Sequence, residues 1–143
     1  MTLYFDTAYL GKCYWNEPYG RQVRELARQA DGLYSSAICI AEMACLAHRK
    51  VREGGIAPAD ALIRRDLFLD DVNSGVITVI PVTDRLLRQV EAATRTLPPS
   101  CYLRTFDALH LVTAAESGFA EVWTNDRHML AAASHFGLAG RSV

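Results

Sequence analysis

The sequence predicts an α/β protein with a central parallel sheet of four to five strands, flanked by helices on both faces. Three observations support this prediction. Short apolar runs of strand length alternate with longer segments that have helical spacing. Gly, Pro or Asn marks most of the changes from one kind of segment to the other. No linker or internal repeat divides the 143 residues, so we expect a single domain over 1–143 with one core.

Five segments are the candidate strands of this sheet. The clearest of them is VITVIPV, which is almost entirely apolar and therefore typical of a strand buried on both faces. The last candidate, at the end of the chain, has the lowest fraction of apolar residues. The predicted strands are LYF (3–5), LYSSAICI (33–40), VITVIPV (76–82), AEVWT (120–124) and LAGRSV (138–143).

The segments between these runs have the periodicity and end signals of helices. In YGRQVRELARQA, for example, Val23, Leu26, Ala27 and Ala30 form one apolar stripe. Gly residues close several helices, and Thr83 is a candidate N-cap. The predicted helices cover 8–15, 19–30, 41–55, 58–72, the segment from Thr83 to the break at Pro98–Pro99, 105–118 and 126–137.

Composition limits the class of protein. Fifteen basic and sixteen acidic residues leave a formal charge of -1, so any contact with nucleic acid must depend on a local patch of cations. The four cysteines form no CxxC pair, which argues against a zinc site and indicates a reducing, cytoplasmic environment. No apolar stretch approaches the roughly 20 residues that cross a bilayer, so we expect no membrane association.

Four acids are expected at one edge of the sheet. Asp6 and Asp126 directly follow the first and fourth strands, and Glu42 lies in the first turn of the helix after the second strand. Asp107 lies in the first turn of the helix that precedes the fourth strand. Strand C-termini and helix N-termini share one edge of a parallel α/β sheet, and this edge is where such folds bind ligands. Each acid alone could instead be an N-cap or a dipole partner, worth about 0.5–2 kcal/mol.

The joint placement of these acids points to a cation. Carboxylates that converge on one rim repel each other and raise each other's pKa. A divalent ion relieves this repulsion, and oxygen ligands without a Cys or His pair favour Mg²⁺ or Mn²⁺. The sequence therefore predicts a magnesium-like site between Asp6, Glu42, Asp107 and Asp126.

Four segments resemble the PIN-domain ribonucleases, in particular the VapC-type toxins of VapBC toxin–antitoxin modules. They occur in the same order as in that family and span nearly the whole chain. One departure is Ala8, where many relatives have Ser after the Asp-Thr pair, and this change removes a hydroxyl but no metal ligand. The four segments are FDTAYLGKCYWNEP, SSAICIAEM, LRTFDALHLVTAAE and VWTNDRHML.

The resemblance implies a PIN-like fold and a metal-dependent endoribonuclease that uses Mg²⁺, or Mn²⁺. Under this hypothesis Asp6 and Asp107 bind the metal directly, and Asp126 binds it directly or through water. Glu42 binds it through water or acts as a general base. The resemblance does not decide between one metal ion and two.

Neighbouring residues have secondary roles in this hypothesis. Thr7 and Thr124 are candidates to hold the carboxylates in place by hydrogen bonds. His110 is three residues after Asp107 and shares its helix face, so a direct role is open beside a local structural one. Three cations lie near the acids and could contact RNA phosphate or could neutralise the acids as ion pairs, namely Lys12, Arg104 and Arg127.

The expected partners are an RNA substrate, a cognate antitoxin protein that blocks the metal site, and a second copy of the chain in a homodimer. Two alternatives remain open at this point. A metal-dependent DNA nuclease of related fold would use the same acids. A non-catalytic module that binds RNA or a protein partner would not need all four of them.

Overall fold

The structure is a computed structural model that describes all residues from Met1 to Val143, and it confirms the predicted α/β architecture. None of its helices combines the length and the apolar character needed to cross a membrane. The strands are β1 (Thr2–Tyr4), β2 (Gly32–Ser36), β3 (Ile77–Ile80), β4 (Glu121–Trp123) and β5 (Ala139–Arg141). The helices are α1 (Thr7–Tyr14), α2 (Gly20–Gln29), α3 (Ile38–Arg52), α4 (Pro58–Asn73), α5 (Asp84–Arg95), α6 (Thr105–Glu116) and α7 (Arg127–Ala132), and a 3₁₀ turn (Ala133–Phe136) follows α7.

All strand pairings are parallel, as predicted. One group has the order β1-β2-β3, with Leu3 beside Leu33 and Leu33 beside Ile77. The other group is the β4–β5 pair, which includes the short final strand. A single parallel bridge between Phe5 and Trp123 joins the two groups. The amide of Asp6 also donates to the Trp123 carbonyl at 3.1 Å. β1 therefore lies between β2 and β4.

Helices cover both faces of the sheet because β1 is apolar on both of its faces. Leu3 and Phe5 pack into a core formed with side chains of α1, α2, α3 and α4. Tyr4 points to the opposite face, where it packs with Leu111 of α6 and Met129 of α7. This alternation follows from the two-residue period of a strand.

The second predicted strand is four residues too long. β2 ends at Ser36, and residues up to Ile40 belong to α3. The Ser36 hydroxyl accepts a hydrogen bond from the Ile38 amide at 3.2 Å, which supports the helix start. The segment reads as strand because Cys39 and its neighbours are apolar, and a short apolar run does not distinguish a strand from a buried helical turn.

The third predicted strand is not buried on both faces. Ile77 is buried, whereas Val76 and Val82 are 58% and 38% exposed. The reason is the strand order, which puts β3 at an edge of the sheet. Pro81 follows its last residue and cannot donate a ladder hydrogen bond, so the strand stops at Ile80.

Candidate metal centre

The four predicted acids line a single cavity of about 540 Å³ at the C-terminal edge of the sheet. The N-terminal halves of α1, α3, α6 and α7 surround it, as the parallel topology requires. The lining has an acidic part, formed by the four carboxylates, and an apolar part, called the apolar wall below, which includes Ile38, Leu46 and Phe106. The lining residues are Asp6, Thr7, Ala8, Ile38, Ala41, Glu42, Cys45, Leu46, Arg49, Arg104, Phe106, Asp107, His110 and Asp126.

Asp6 is the most deeply buried of the four acids and is only 3% exposed. It is the N-cap of α1, and its Oδ1 accepts from the Tyr9 amide at 2.8 Å. Its Oδ2 accepts from the Thr124 hydroxyl at 2.5 Å. Burial raises the pKa of Asp6 to about 6, and the nearby Asp107 charge acts in the same direction. Moving negative charge to this position is therefore costly in the metal-free protein.

Glu42 lies in the second turn of α3, one turn later than predicted, because the helix begins at Ile38. Its Oε1 accepts from the Thr7 hydroxyl at 2.6 Å and from His110 Nε2 at 2.8 Å. Burial acts to raise the pKa of Glu42, but the hydrogen bonds and charge of His110, together with Thr7, lower it below its ordinary value. Glu42 therefore remains a carboxylate at neutral pH.

Asp107 and Asp126 share a cation. Asp107 lies in the first turn of α6, as predicted, and Asp126 is the N-cap of α7. Arg104 Nε lies 3.3 Å from Asp107 Oδ2, and its Nη2 lies 3.7 Å from Asp126 Oδ2. Burial raises the pKa of Asp107, against the effect of Arg104, and the Asp126 charge raises it further. Arg104 is 66% exposed, so it can leave these carboxylates at little cost.

The four acids share a cavity but do not form the tight cluster that the sequence analysis predicted. No three His, Cys, Asp or Glu side chains stand close enough together to enclose a metal ion. The reason is that each carboxylate has local partners: amide and hydroxyl groups hold Asp6 and Glu42, and Arg104 pairs with Asp107 and Asp126.

The donor chemistry nevertheless fits a hard divalent ion. All the acidic ligands supply oxygen, which Mg²⁺ and Mn²⁺ prefer. Glu42 Oε2 and Asp107 Oδ1 accept no hydrogen bond from the protein, so each is free to bind a cation. Burial is the main cause of the raised pKa of Asp6 and of Asp107, so a cation bound beside them would favour their charged forms. A cation bound to Asp107 and Asp126 would compete with Arg104 for these carboxylates.

Two of the three predicted phosphate contacts do not lie at the cavity. Lys12 is buried, and its ammonium donates to the Pro18 carbonyl at 2.8 Å and lies 3.8 Å from Glu17. This local pairing in the turn between α1 and α2 corrects the assignment of Lys12 to phosphate. Arg127 is exposed but does not line the cavity, so only Arg104 is placed as predicted.

Two lining residues outside the predicted site set bear on the chemistry of the cavity. Arg49 is seven residues after Glu42, a spacing that puts both side chains on one face of α3. That spacing was the available signal. Phe106 directly precedes Asp107 and remains 49% exposed on the apolar wall. The sequence shows that a Phe precedes Asp107 but not that its ring is exposed, so it gave no sign that this residue lines the site.

The buried Thr124 hydroxyl is expected to stabilise the site measurably. It donates to Asp6 Oδ2 and accepts from the Asp126 amide at 3.0 Å, so it links two of the acids. We expect Thr124→Val to lower the free energy of unfolding by about 1–3 kcal/mol, because the substitution leaves buried polar groups without a partner. Urea unfolding at pH 7 in EDTA measures this change.

The matched control is Thr113→Val. Thr113 is equally buried, and its hydroxyl donates to the Leu109 carbonyl of its own helix at 2.6 Å without touching an acid of the cavity. We expect a smaller loss for this variant. Equal losses for both variants would show that the link between Asp6 and Asp126 contributes nothing specific.

The chain matches the PIN domain family model over residues 3–134 and therefore belongs to the PIN domain family, whose members are nucleases. No curated protein sequence matches it.

Three solved structures share the fold at low sequence identity. VapBC2 from Rickettsia felis, bound to a DNA fragment from its promoter, is 14% identical with a TM-score of 0.69, and the match covers 99% of this chain and 98% of that one. The sarcin–ricin loop cleaving toxin VapC20 from Mycobacterium tuberculosis is 16% identical with a TM-score of 0.68, covering 91% and 94%. FitAB bound to the IR36 DNA fragment is 17% identical with a TM-score of 0.70, covering 99% and 94%. At these identities the similarity shows the fold alone.

Proposed function

We propose that this chain is a Mg²⁺- or Mn²⁺-dependent endoribonuclease and the toxin component of a type II toxin–antitoxin system. The observation that supports this most directly is the placement of four carboxylates on one cavity of a PIN domain. Acids from four different helices reach the same edge of the sheet, although they are far apart in the sequence. Capping alone explains Asp6 and Asp126 but not Glu42 or Asp107.

The acids have distinct roles in this proposal. Asp6 and Asp107 would hold the ion directly, and Asp126 would hold it directly or through water. A bound divalent ion supplies a water of lowered pKa and neutralises charge that develops on the phosphate oxygens. Glu42 is ionised at neutral pH, and its free Oε2 can accept a proton from the attacking water.

Arg104 is the residue whose partner would change on metal binding, from the carboxylates of the cavity to the substrate phosphate. In the metal-free protein its guanidinium neutralises Asp107 and Asp126. A divalent ion held by these acids would replace this neutralisation, and Arg104 would then be free to contact the substrate phosphate at the cavity rim. Arg49 lies on the same wall as Glu42 and adds a second cation for the RNA backbone.

The apolar wall favours a substrate with an unpaired nucleotide. Phe106 and Ile38 line this wall, and the exposed ring of Phe106 offers a surface on which a base can stack. Proteins that read RNA in this way act on loops and single strands, whose bases are free to turn outward. The sarcin–ricin loop cleaved by VapC20 supports the choice of RNA over DNA for this chain.

The proposed protein partner is inferred from the same structural neighbours. The VapBC structures contain an antitoxin together with the toxin, which supports a cognate antitoxin for this chain. We further propose that the chain acts in the cytoplasm, where its RNA substrate occurs, and forms a homodimer.

The proposed function is tested with purified wild-type protein on labelled RNA and DNA oligonucleotides of one sequence, as hairpins and as single strands. We expect RNA cleavage with Mg²⁺ or Mn²⁺, no cleavage in EDTA, and recovery when the ion is restored. Expression in cells without the antitoxin is expected to arrest growth.

Three other outcomes of these experiments would each lead to a different conclusion about the function. Cleavage of DNA but not RNA would replace the proposal with a metal-dependent DNA nuclease. Metal-independent RNA cleavage would contradict the assigned chemistry. Absence of cleavage, with harmless expression of soluble protein, would favour a non-catalytic binding module.

A further inference from the structure

His110 is the most deeply buried titratable side chain at the cavity that has no role in the proposed chemistry. It is 1% exposed and lies one turn after Asp107 on α6. Sequence spacing left open whether it binds metal directly. Its hydrogen bonds decide this question, because residues of β1, α1 and α3 engage both of its ring nitrogens.

The Nε2 atom of His110 donates a hydrogen bond. It lies 2.8 Å from Glu42 Oε1 and 3.1 Å from the Thr7 hydroxyl oxygen. An ionised carboxylate only accepts, and the Thr7 hydroxyl already donates its hydrogen to Glu42 Oε1 at 2.6 Å. The hydrogen between His110 and Glu42 must therefore be on Nε2, so this nitrogen has no lone pair for a metal ion.

The other ring nitrogen fixes the orientation of the imidazole. Nδ1 lies 2.9 Å from the hydroxyl of Tyr4, which is fully buried in β1. The tyrosine ring is itself held by edge contacts with His110 and Phe119, at centroid distances of 6.0 and 5.6 Å. A rotation of the imidazole would break contacts at both nitrogens, so the ring is held in one orientation.

We propose that His110 is a positioning residue for Glu42. His110 and Thr7 form a buried clamp that saturates Oε1 of Glu42, with Tyr4 holding the imidazole, and the clamp leaves Oε2 available to an ion or its water. This inference deepens the proposed function and rests on it. Without the clamp, Glu42 could rotate about its side-chain bonds, and both metal affinity and the orientation of the attacking water would suffer.

The inference is tested by Mn²⁺ binding to the full chain in the absence of RNA, followed by electron paramagnetic resonance of the free ion. We expect His110→Leu to weaken Mn²⁺ binding by about 10–100-fold, the usual effect of removing a residue that orients a ligand. His110→Gln keeps an N–H group at the position of Nε2 and is expected to retain most of the affinity. A purely space-filling role would not distinguish Gln from Leu in this way.

Two further variants complete the design. His135→Gln changes an exposed histidine outside the cavity and is expected to bind Mn²⁺ as the wild type does. Tyr4→Phe removes only the hydroxyl on Nδ1, and we expect a weaker loss of affinity in the same direction as His110→Leu. If His110→Leu does not fold, the comparison of Tyr4→Phe with wild type decides the matter.

The outcomes separate this inference from the proposed function. Unchanged Mn²⁺ affinity in folded His110→Leu or in Tyr4→Phe, combined with loss of binding in Asp107→Asn, would overturn the clamp and leave the metal site intact. If the folded wild type neither binds Mn²⁺ nor cleaves RNA, the proposed function is wrong and the clamp has no catalytic meaning.

Discussion

Replacing Asp6 with Asn is expected to raise the free energy of unfolding of the protein without metal by about 1–2 kcal/mol at pH 7, while abolishing RNA cleavage. Removing the buried charge contributes about 3 kcal/mol, and losing the hydrogen bond accepted from the Thr124 hydroxyl offsets about 1–2 kcal/mol of it. Burial raises the pKa of Asp6 from 3.8 to about 6, so the folded protein holds a carboxylate that would be more stable in water. Asn has nearly the same shape, can still cap α1 by accepting from the Tyr9 amide, and carries no charge.

The sign of the pH dependence follows from the direction of the shift. Because the pKa of Asp6 is higher in the folded state, the folded protein binds more protons than the unfolded chain between about pH 4 and pH 6. The contribution of Asp6 to stability therefore decreases as pH rises through this window and is fully unfavourable above it. The stabilising effect of Asp6→Asn should grow over the same window and level off near pH 7.

Urea unfolding in EDTA at several pH values measures this prediction, and a gain of this size corresponds to a rise of roughly 3–7 °C in melting temperature. Asp66→Asn on the exposed face of α4 is the control and is expected to show no comparable gain. An Asp6→Asn variant with wild-type stability at both pH 4 and pH 7 would show that burial of the Asp6 carboxylate does not destabilise the folded protein. Saturating Mg²⁺ should stabilise the wild type and narrow the difference.

Replacing Asp107 with Asn is expected to reduce RNA cleavage by about 10²–10³-fold, equivalent to about 2.7–4 kcal/mol of transition-state stabilisation. Asp107 offers Oδ1 without a hydrogen bond from the protein, so this oxygen is available to a cation. The amide of Asn retains the shape of the side chain but loses the negative charge that binds the ion. Single-turnover cleavage of RNA in Mg²⁺ and in Mn²⁺ measures the loss.

Asp84→Asn is the matched control for this experiment. Asp84 is also a first-turn acid, in α5, and it pairs with Arg88 at 2.7 Å much as Asp107 pairs with Arg104. It does not line the cavity, so we expect cleavage at the wild-type rate. Equal cleavage by wild type and Asp107→Asn would indicate a contaminating nuclease, and the catalytic assignment of the acids would fail.

Local sequence patterns were sufficient to place most of the backbone. Thr83 and Asp126 accept hydrogen bonds from helix amides, so the capping positions read from the sequence are those of the structure. The error at 37–40 arose because the end of β2 and the start of α3 form one apolar run. Within 37–40 only Cys39 is buried, and Ile40 is exposed, so the strand-like appearance of this run came from its composition and not from its position in the fold.

Patterns along the sequence are enough to predict a parallel α/β protein with acids where strands end and helices begin. This is possible because hydrophobic period and capping act over a few neighbouring residues. Only the tertiary structure decided how the side chains are used. Lys12 pairs with a turn, Arg104 bridges two acids, and His110 holds a glutamate 68 residues away in the chain. Such contacts depend on helix packing and on side-chain direction at ångström scale, and neither is encoded in the spacing of residues along one segment.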